Sequence, residues 1–102
     1  MELEIDAIKI KQEDNVATAL RALNKQDTAK YRDGEGFSET LILEDIPYGH
    51  KFATRDIASG EDIVKYGEVI GRATRDIKTG SHTHVQNLES LRARGDLGKA
   101  RD

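Results

Sequence analysis

The sequence predicts a mainly β domain with an internal pseudo-two-fold repeat, and three observations carry that expectation. The octapeptide Ala53-Thr54-Arg55-Asp56-Ile57-Ala58-Ser59-Gly60 returns twenty residues later as Ala73-Thr74-Arg75-Asp76-Ile77-Lys78-Thr79-Gly80, identical at six of eight positions. Short β-prone runs recur along the chain, and glycines stand at their ends, where a positive φ allows the chain to reverse. Hydrophobic residues make up only 36% of 102, with one Met, no Trp, three Tyr and two Phe. A single domain with a small aliphatic core is expected from that content.

Taken in order, Leu3-Glu4-Ile5-Asp6-Ala7 alternates apolar and charged residues, as a half-buried strand does. The phase slips after Ile8, which a bulge or a strand end explains. Val16 to Leu23 is apolar too densely for either period to win, so a two-turn helix or a strand fits. Asn24 to Gly36 is polar and reads as a surface connection. Thr40-Leu41-Ile42-Leu43 is a short β-prone run, closed by Glu44-Asp45-Ile46 and a turn at Pro47-Tyr48-Gly49.

Each octapeptide copy reads as a strand followed by a turn, with β-branched Thr and Ile before a closing Gly. Two copies are too few for a solenoid, so two units facing each other are expected. Between them Asp62 to Gly67 and Val69 to Gly71 are β-prone. Ser81 to Asn87 alternates again. Asn87 then caps a short helix over Leu88–Arg94, with Gly95 after it and a fraying polar tail over 96–102.

Sixteen basic against nineteen acidic side chains give a net charge of −3, with the signs interspersed. A nucleic-acid partner is disfavoured, because a phosphate-tracking surface needs a basic excess. The absence of cysteine removes disulfides, thiolate catalysis and zinc-thiolate sites. No apolar stretch approaches a membrane span, and Glu2 and Glu4 follow Met1, so a soluble, cytoplasmic chain is expected.

Chemistry concentrates in three histidines. His82 and His84 stand two apart in an expected strand, which puts both imidazoles on one face with Gln86 next in the row. Two such imidazoles make half a metal site for iron, zinc, copper or nickel; the alternative is an exposed polar strand face. His50 follows the Pro47-Tyr48-Gly49 turn, a common place for functional groups. Lys51 and Lys65 are candidates for binding a carboxylate or an acidic sugar, against the simpler reading of solvated lysines. Nothing has the glycine clustering of a phosphate loop, and no serine has the context of a nucleophile.

Ile46-Pro47-Tyr48-Gly49-His50-Lys51, the run from Val64-Lys65-Tyr66-Gly67-Glu68-Val69-Ile70-Gly71 to Arg72-Ala73-Thr74, and His82-Thr83-His84-Val85-Gln86-Asn87-Leu88-Glu89 form one continuous pattern. It resembles the SAF domain of the altronate and galactarate dehydratase family. The likeness is best over 46–95 within a single domain spanning 1–102. It implies a β-clip fold with pseudo-two-fold symmetry. It further implies a metal-dependent hydro-lyase acting on sugar acids, in which this domain is a small subunit or N-terminal part that is inactive without a large catalytic partner.

The implied cofactor is a divalent ion in the complete enzyme, Fe2+ or else Mn2+ or Mg2+. His82 and His84 are the implied catalytic groups and metal ligands, with His50, Lys51, Lys65, Gln86 and Asn87 as substrate contacts. The family commonly has His-x-His-Asn near its end, which places histidine at 84 and 86; this chain has Gln86, which hydrogen-bonds but is no acid or base near neutral pH. Two other roles are compatible with the likeness: a noncatalytic sugar-acid binding module, and a small subunit of a sulfolactate-type sulfo-lyase. Self-association is left open.

Overall fold

The computed structural model describes residues 5–90, and these form nine strands and no helix. The strands are β1 (Ala7–Ile8), β2 (Val16–Ala19), β3 (Thr28–Asp33), β4 (Gly36–Leu41), β5 (Lys51–Ala53), β6 (Asp62–Lys65), β7 (Glu68–Ala73), β8 (His82–Thr83) and β9 (Leu88–Ser90). Six form one sheet in the order β4-β3-β1-β2-β5-β8, and three form a second in the order β6-β7-β9. Pairing is antiparallel except between β1 and β3. The domain is therefore mainly β, as expected, and no helix among the described residues is long and apolar enough to cross a membrane.

The repeat seen in the sequence is an interlocked pair of turns. Ile57 and Ile77 form an antiparallel bridge in which each N–H donates to the other's carbonyl at 2.8 Å. Asp56 accepts from the Thr79 N–H and Asp76 accepts from the Ser59 N–H, both at 2.9 Å, so the carboxylates cross over between the copies. Three residues past each bridge, Gly60 and Gly80 take φ of 88° and 92°. Their N–H groups donate to Ala73 and Ala53, each four residues before the opposite bridge.

A second pair of turns has the same plan, and the sequence hides it. Leu23 and Ile46 exchange N–H···O bonds of 2.9 and 2.8 Å. Gln26 and Gly49, three residues on, have φ of 82° and 83° and donate to Ile42 and Ala19. Here a glutamine occupies one left-handed position, and Ala22 stands where the other three copies have Asp45, Asp56 and Asp76. The four bridge residues are all buried, so each turn also delivers one aliphatic side chain to the interior.

Several local expectations change. Val16–Ala19 is strand, paired with β1 and β5. The polar stretch 24–36, expected to be a connection, contains β3. Its inward residues are Ala29 and Tyr31, both buried, while Lys30 and Arg32 turn outward over the Phe37 ring. Two apolar residues are too few to show a period of two against that charge. Of the run expected at Thr40–Leu43, Thr40 and Leu41 belong to β4, which begins earlier, at Gly36, while Ile42 and Leu43 follow it outside any strand. Leu88–Ser90, expected to open a helix, pairs with β7. Residues 91–94 of that helix and the 96–102 tail lie outside the described residues.

The interior divides into two clusters, one around Phe52, Tyr31, Leu23, Ile42 and Ile46, the other around Val16, Ile57, Ile63 and Ile77. Asn15 ties the sheets together. It is fully buried, its amide donates to Asp62 O at 2.9 Å and its side-chain oxygen accepts from Val64 N–H at 2.7 Å. Beside it the buried Asp14 accepts from the N–H groups of Ile10, Lys11 and Gly67.

Burial pushes the Asp14 carboxyl up, but the backbone donors of Lys11, Gly67, Ile10 and Tyr66 together outweigh it and hold it below the ordinary value. A folded pKa below the unfolded one contributes stability that is present above about pH 4 and lost as pH falls through the folded value. Asp14→Asn is expected to be the less stable protein near neutral pH and to lose less on acidification below about pH 4. Urea titrations at several pH values check this; parallel pH profiles for the two proteins would refute it.

Candidate functional site

The three histidines come together from two turns that are remote in sequence. His50 directly follows the left-handed Gly49, and its carbonyl accepts from Ala19 N–H at 2.8 Å. His82 opens β8 opposite Phe52, and its N–H donates to the Glu44 carboxylate at 2.9 Å. The strand ends at Thr83, and residues 84–87 turn back. Asn87 holds that turn: its oxygen accepts from His84 N–H at 3.0 Å and its amide donates to His82 O at 2.9 Å.

The imidazoles are stacked, with centroids 4.5 Å apart for His50 and His84, 5.1 Å for His50 and His82, and 5.4 Å for His82 and His84. His50 Nδ1 lies 2.9 Å from His82 Nε2. One ring nitrogen from each histidine falls within 4.8 Å of the others, and all three residues are partly buried. His82 and His84 are neighbours, but not as one strand face, since β8 stops before His84, and His50, expected only as a substrate contact, makes a group of three.

Burial lowers the pKa of His82, helped by the charges of His50, His84 and Lys51 and opposed by Glu44. Burial likewise lowers that of His84, with His50 and Lys51 adding to it. Both imidazoles are therefore biased toward the neutral form that a metal or a proton acceptor requires. Lys51 is itself depressed, first by burial and then by the charge of Lys65. None of the ion pairs among the described residues involves either lysine. Lys65 lies with its ammonium 4.9 Å from the Tyr66 ring centre.

Gln86 does not continue a strand row. It folds back on His82, its amide nitrogen 3.3 Å from Nδ1 and 3.2 Å from the carbonyl oxygen. Glu44 carries no sequence signal of its role: it lies in an acidic loop after β4, and only the interlocked turns bring it to His82. A separate concavity of about 190 Å³ is lined by Lys9, Asp14, Asp33 and Arg55 among others. Its charges are already matched, Lys9 to Asp33 at 2.7 Å and Arg55 to Glu61 at 2.8 Å, while Asp14 accepts from backbone N–H groups.

Residues 5–91 match the family described as the altronate/galactarate dehydratase SAF domain. The chain belongs to that family. Similar proteins include the altronate dehydratase of Escherichia coli strain K12, 43% identical over 84 residues, and that of Bacillus subtilis strain 168, 41% identical over 84 residues. Each alignment covers 81% of this chain and 16% of the relative. The (2R)-sulfolactate sulfo-lyase subunit alpha of Chromohalobacter salexigens is 43% identical over 51 residues, 50% of this chain and 54% of that one. The SAF domain thus spans about 16% of the length of the dehydratases it matches. Its named relatives are lyases.

Three imidazoles suit a divalent ion of the iron, zinc or nickel type, while a Mg2+ site is usually built from oxygen ligands. The donor set at His50, His82 and His84 therefore fits Fe2+ better than Mg2+.

Proposed function

We propose that the SAF domain supplies the histidine-bearing part of a hydro-lyase acting on sugar acids of the altronate or galactarate type, completed by a larger catalytic partner. The observation that carries this reading is the convergence of His50, His82 and His84 beside the half-buried Lys51, which has no ion pair among the described residues. Dehydration next to a carboxylate needs that carboxylate held, an α-proton removed and a departing hydroxyl assisted. Lys51 and Lys65 provide positive charge for the carboxylate. His82 and His84, biased toward neutrality, suit proton transfer or ligation at a ring nitrogen. A divalent ion held by His50, His82 and His84 would supply polarisation of substrate oxygens. Gln86 and Asn87 shape the loop that carries His84, Asn87 through its bonds to the backbone.

The test is reconstitution. The domain alone is expected to leave altronate and galactarate unchanged, with dehydration appearing when the larger catalytic portion of a family dehydratase is added. In that complex His84→Ala is expected to lower turnover and not only affinity. Full dehydration by the domain alone would refute the partner, and unchanged turnover with weakened binding would make the domain a binding module.

A second reading rests on the sulfo-lyase likeness, because that relative is a separate small subunit of which this chain covers about half. Sulfite release from sulfolactate, assayed beside dehydration in the same complex, separates the two.

A further inference from the structure

We infer that Gln86 fixes the proton arrangement of the histidine group, holding the His82 proton on Nε2 and directed at His50, so that a metal can take His82 only after that arrangement is reversed. Gln86 places one amide atom 3.2 Å from the His82 carbonyl oxygen and 3.3 Å from His82 Nδ1. A carbonyl oxygen only accepts, so the atom facing it is the amide nitrogen and not the amide oxygen. The same nitrogen then presents a donor to Nδ1, which must offer its lone pair. A neutral imidazole has one N–H, and that leaves it on Nε2. His82 Nε2 lies 2.9 Å from His50 Nδ1 and donates to it, which in turn puts the His50 proton on its own Nε2. The direction of the relay runs from Gln86 through His82 to His50.

For a ring to bind a metal through one nitrogen, the other nitrogen normally carries the proton and donates it to an acceptor. In His82 the Nδ1 lone pair is used by Gln86 and Nε2 carries the proton. Ligation through Nε2 therefore requires the proton to leave Nε2 and one to arrive on Nδ1, with no net change in charge. It also requires the Gln86 amide to turn and accept through its oxygen. Turning costs the bond to the His82 carbonyl, because one nitrogen makes both contacts. Gln86 is thus a positioning residue that opposes metal loading, where a carboxylate at the same place would favour it.

Long-range 1H–15N NMR of the histidine rings tests this on the full, metal-free chain at mildly alkaline pH. His82 and His50 are both expected as Nε2–H tautomers. In Gln86→Glu, His82 is expected to switch to Nδ1–H, and Co2+ is expected to bind about tenfold more tightly, at the low end of such partner effects. A wild-type His82 protonated on Nδ1 would overturn the inference, as would a folded Gln86→Glu protein that keeps the Nε2–H form. Unchanged Co2+ affinity in a switched variant would overturn the opposition to metal. The tautomer needs neither metal nor substrate, so it stands or falls apart from the proposed lyase function; only the Co2+ arm rests on the histidines being ligands.

Discussion

Ferrous iron, added anaerobically at a hundredfold excess over its dissociation constant, is expected to raise the melting temperature of the domain strongly, and His84→Ala is expected to abolish the rise. A ligand at that excess adds about 2.7 kcal/mol to stability, and a domain of this size gains roughly 4–8 °C per kcal/mol, so a shift of roughly 10–20 °C follows. The effect should be specific to the histidines. His50 and His84 enter the group from different turns, and their rings sit 4.5 Å apart, so His50→Ala should lose the shift as well. Mg2+ should produce little, because it prefers oxygen ligands and keeps its water. Differential scanning calorimetry with each ion decides the matter. An equal shift in His84→Ala, or an equal response to Mg2+, would exclude the three imidazoles as the site.

The way these histidines meet explains what the sequence could reveal about the site. His82 and His84 are visible as a pair because they are two residues apart, although it is the Asn87-held turn after β8, and not a continued strand, that keeps them side by side. His50 is not, because its place depends on the bridge between Leu23 and Ile46 and on the pairing of β5 with β8. The same limit applies to the fold. The Ile57 and Ile77 turns show as an octapeptide because both keep Asp before the bridge and Gly after it. The Leu23 turn makes the same backbone hydrogen bonds with Ala22 and Gln26 at those positions, and so its Ile46 partner, which keeps Asp45 and Gly49, has no matching copy to reveal it. Backbone bonds are indifferent to most side chains, so the symmetry persists where the letters have diverged. β3 escapes for a related reason: its inward face consists of Ala29 and Tyr31, and the charges between them carry the composition.

The two glycines at equivalent places in the repeat give the largest expected loss of stability and separate backbone strain from packing. Both have strongly positive φ, 88° at Gly60 and 92° at Gly80, which costs an L-residue roughly 1–2 kcal/mol. A Cβ on Gly60 would meet open space. One on Gly80 would run into the carbonyl oxygen of Leu41 and press on the Leu43 side chain. That oxygen is backbone and cannot swing away as a flexible side chain would, which adds roughly 1–3 kcal/mol of overpacking. Gly60→Ala is therefore expected to cost roughly 1–2 kcal/mol and Gly80→Ala roughly 2–5 kcal/mol in urea unfolding.

The difference reaches the site. Gly80 O accepts from Leu43 N–H at 3.0 Å, the adjoining Glu44 accepts from His82 N–H, and Phe52 pairs with His82 across β5 and β8. A displaced Leu41–Leu43 segment must carry Glu44 with it. Gly80→Ala should then weaken the iron-dependent thermal shift in whatever fraction remains folded, while Gly60→Ala should leave that shift intact because its turn holds no histidine. Equal stability losses in the two variants would show that the left-handed backbone alone accounts for the cost, and an unaltered iron response in Gly80→Ala would break the link from the interlocked turns to the histidine group.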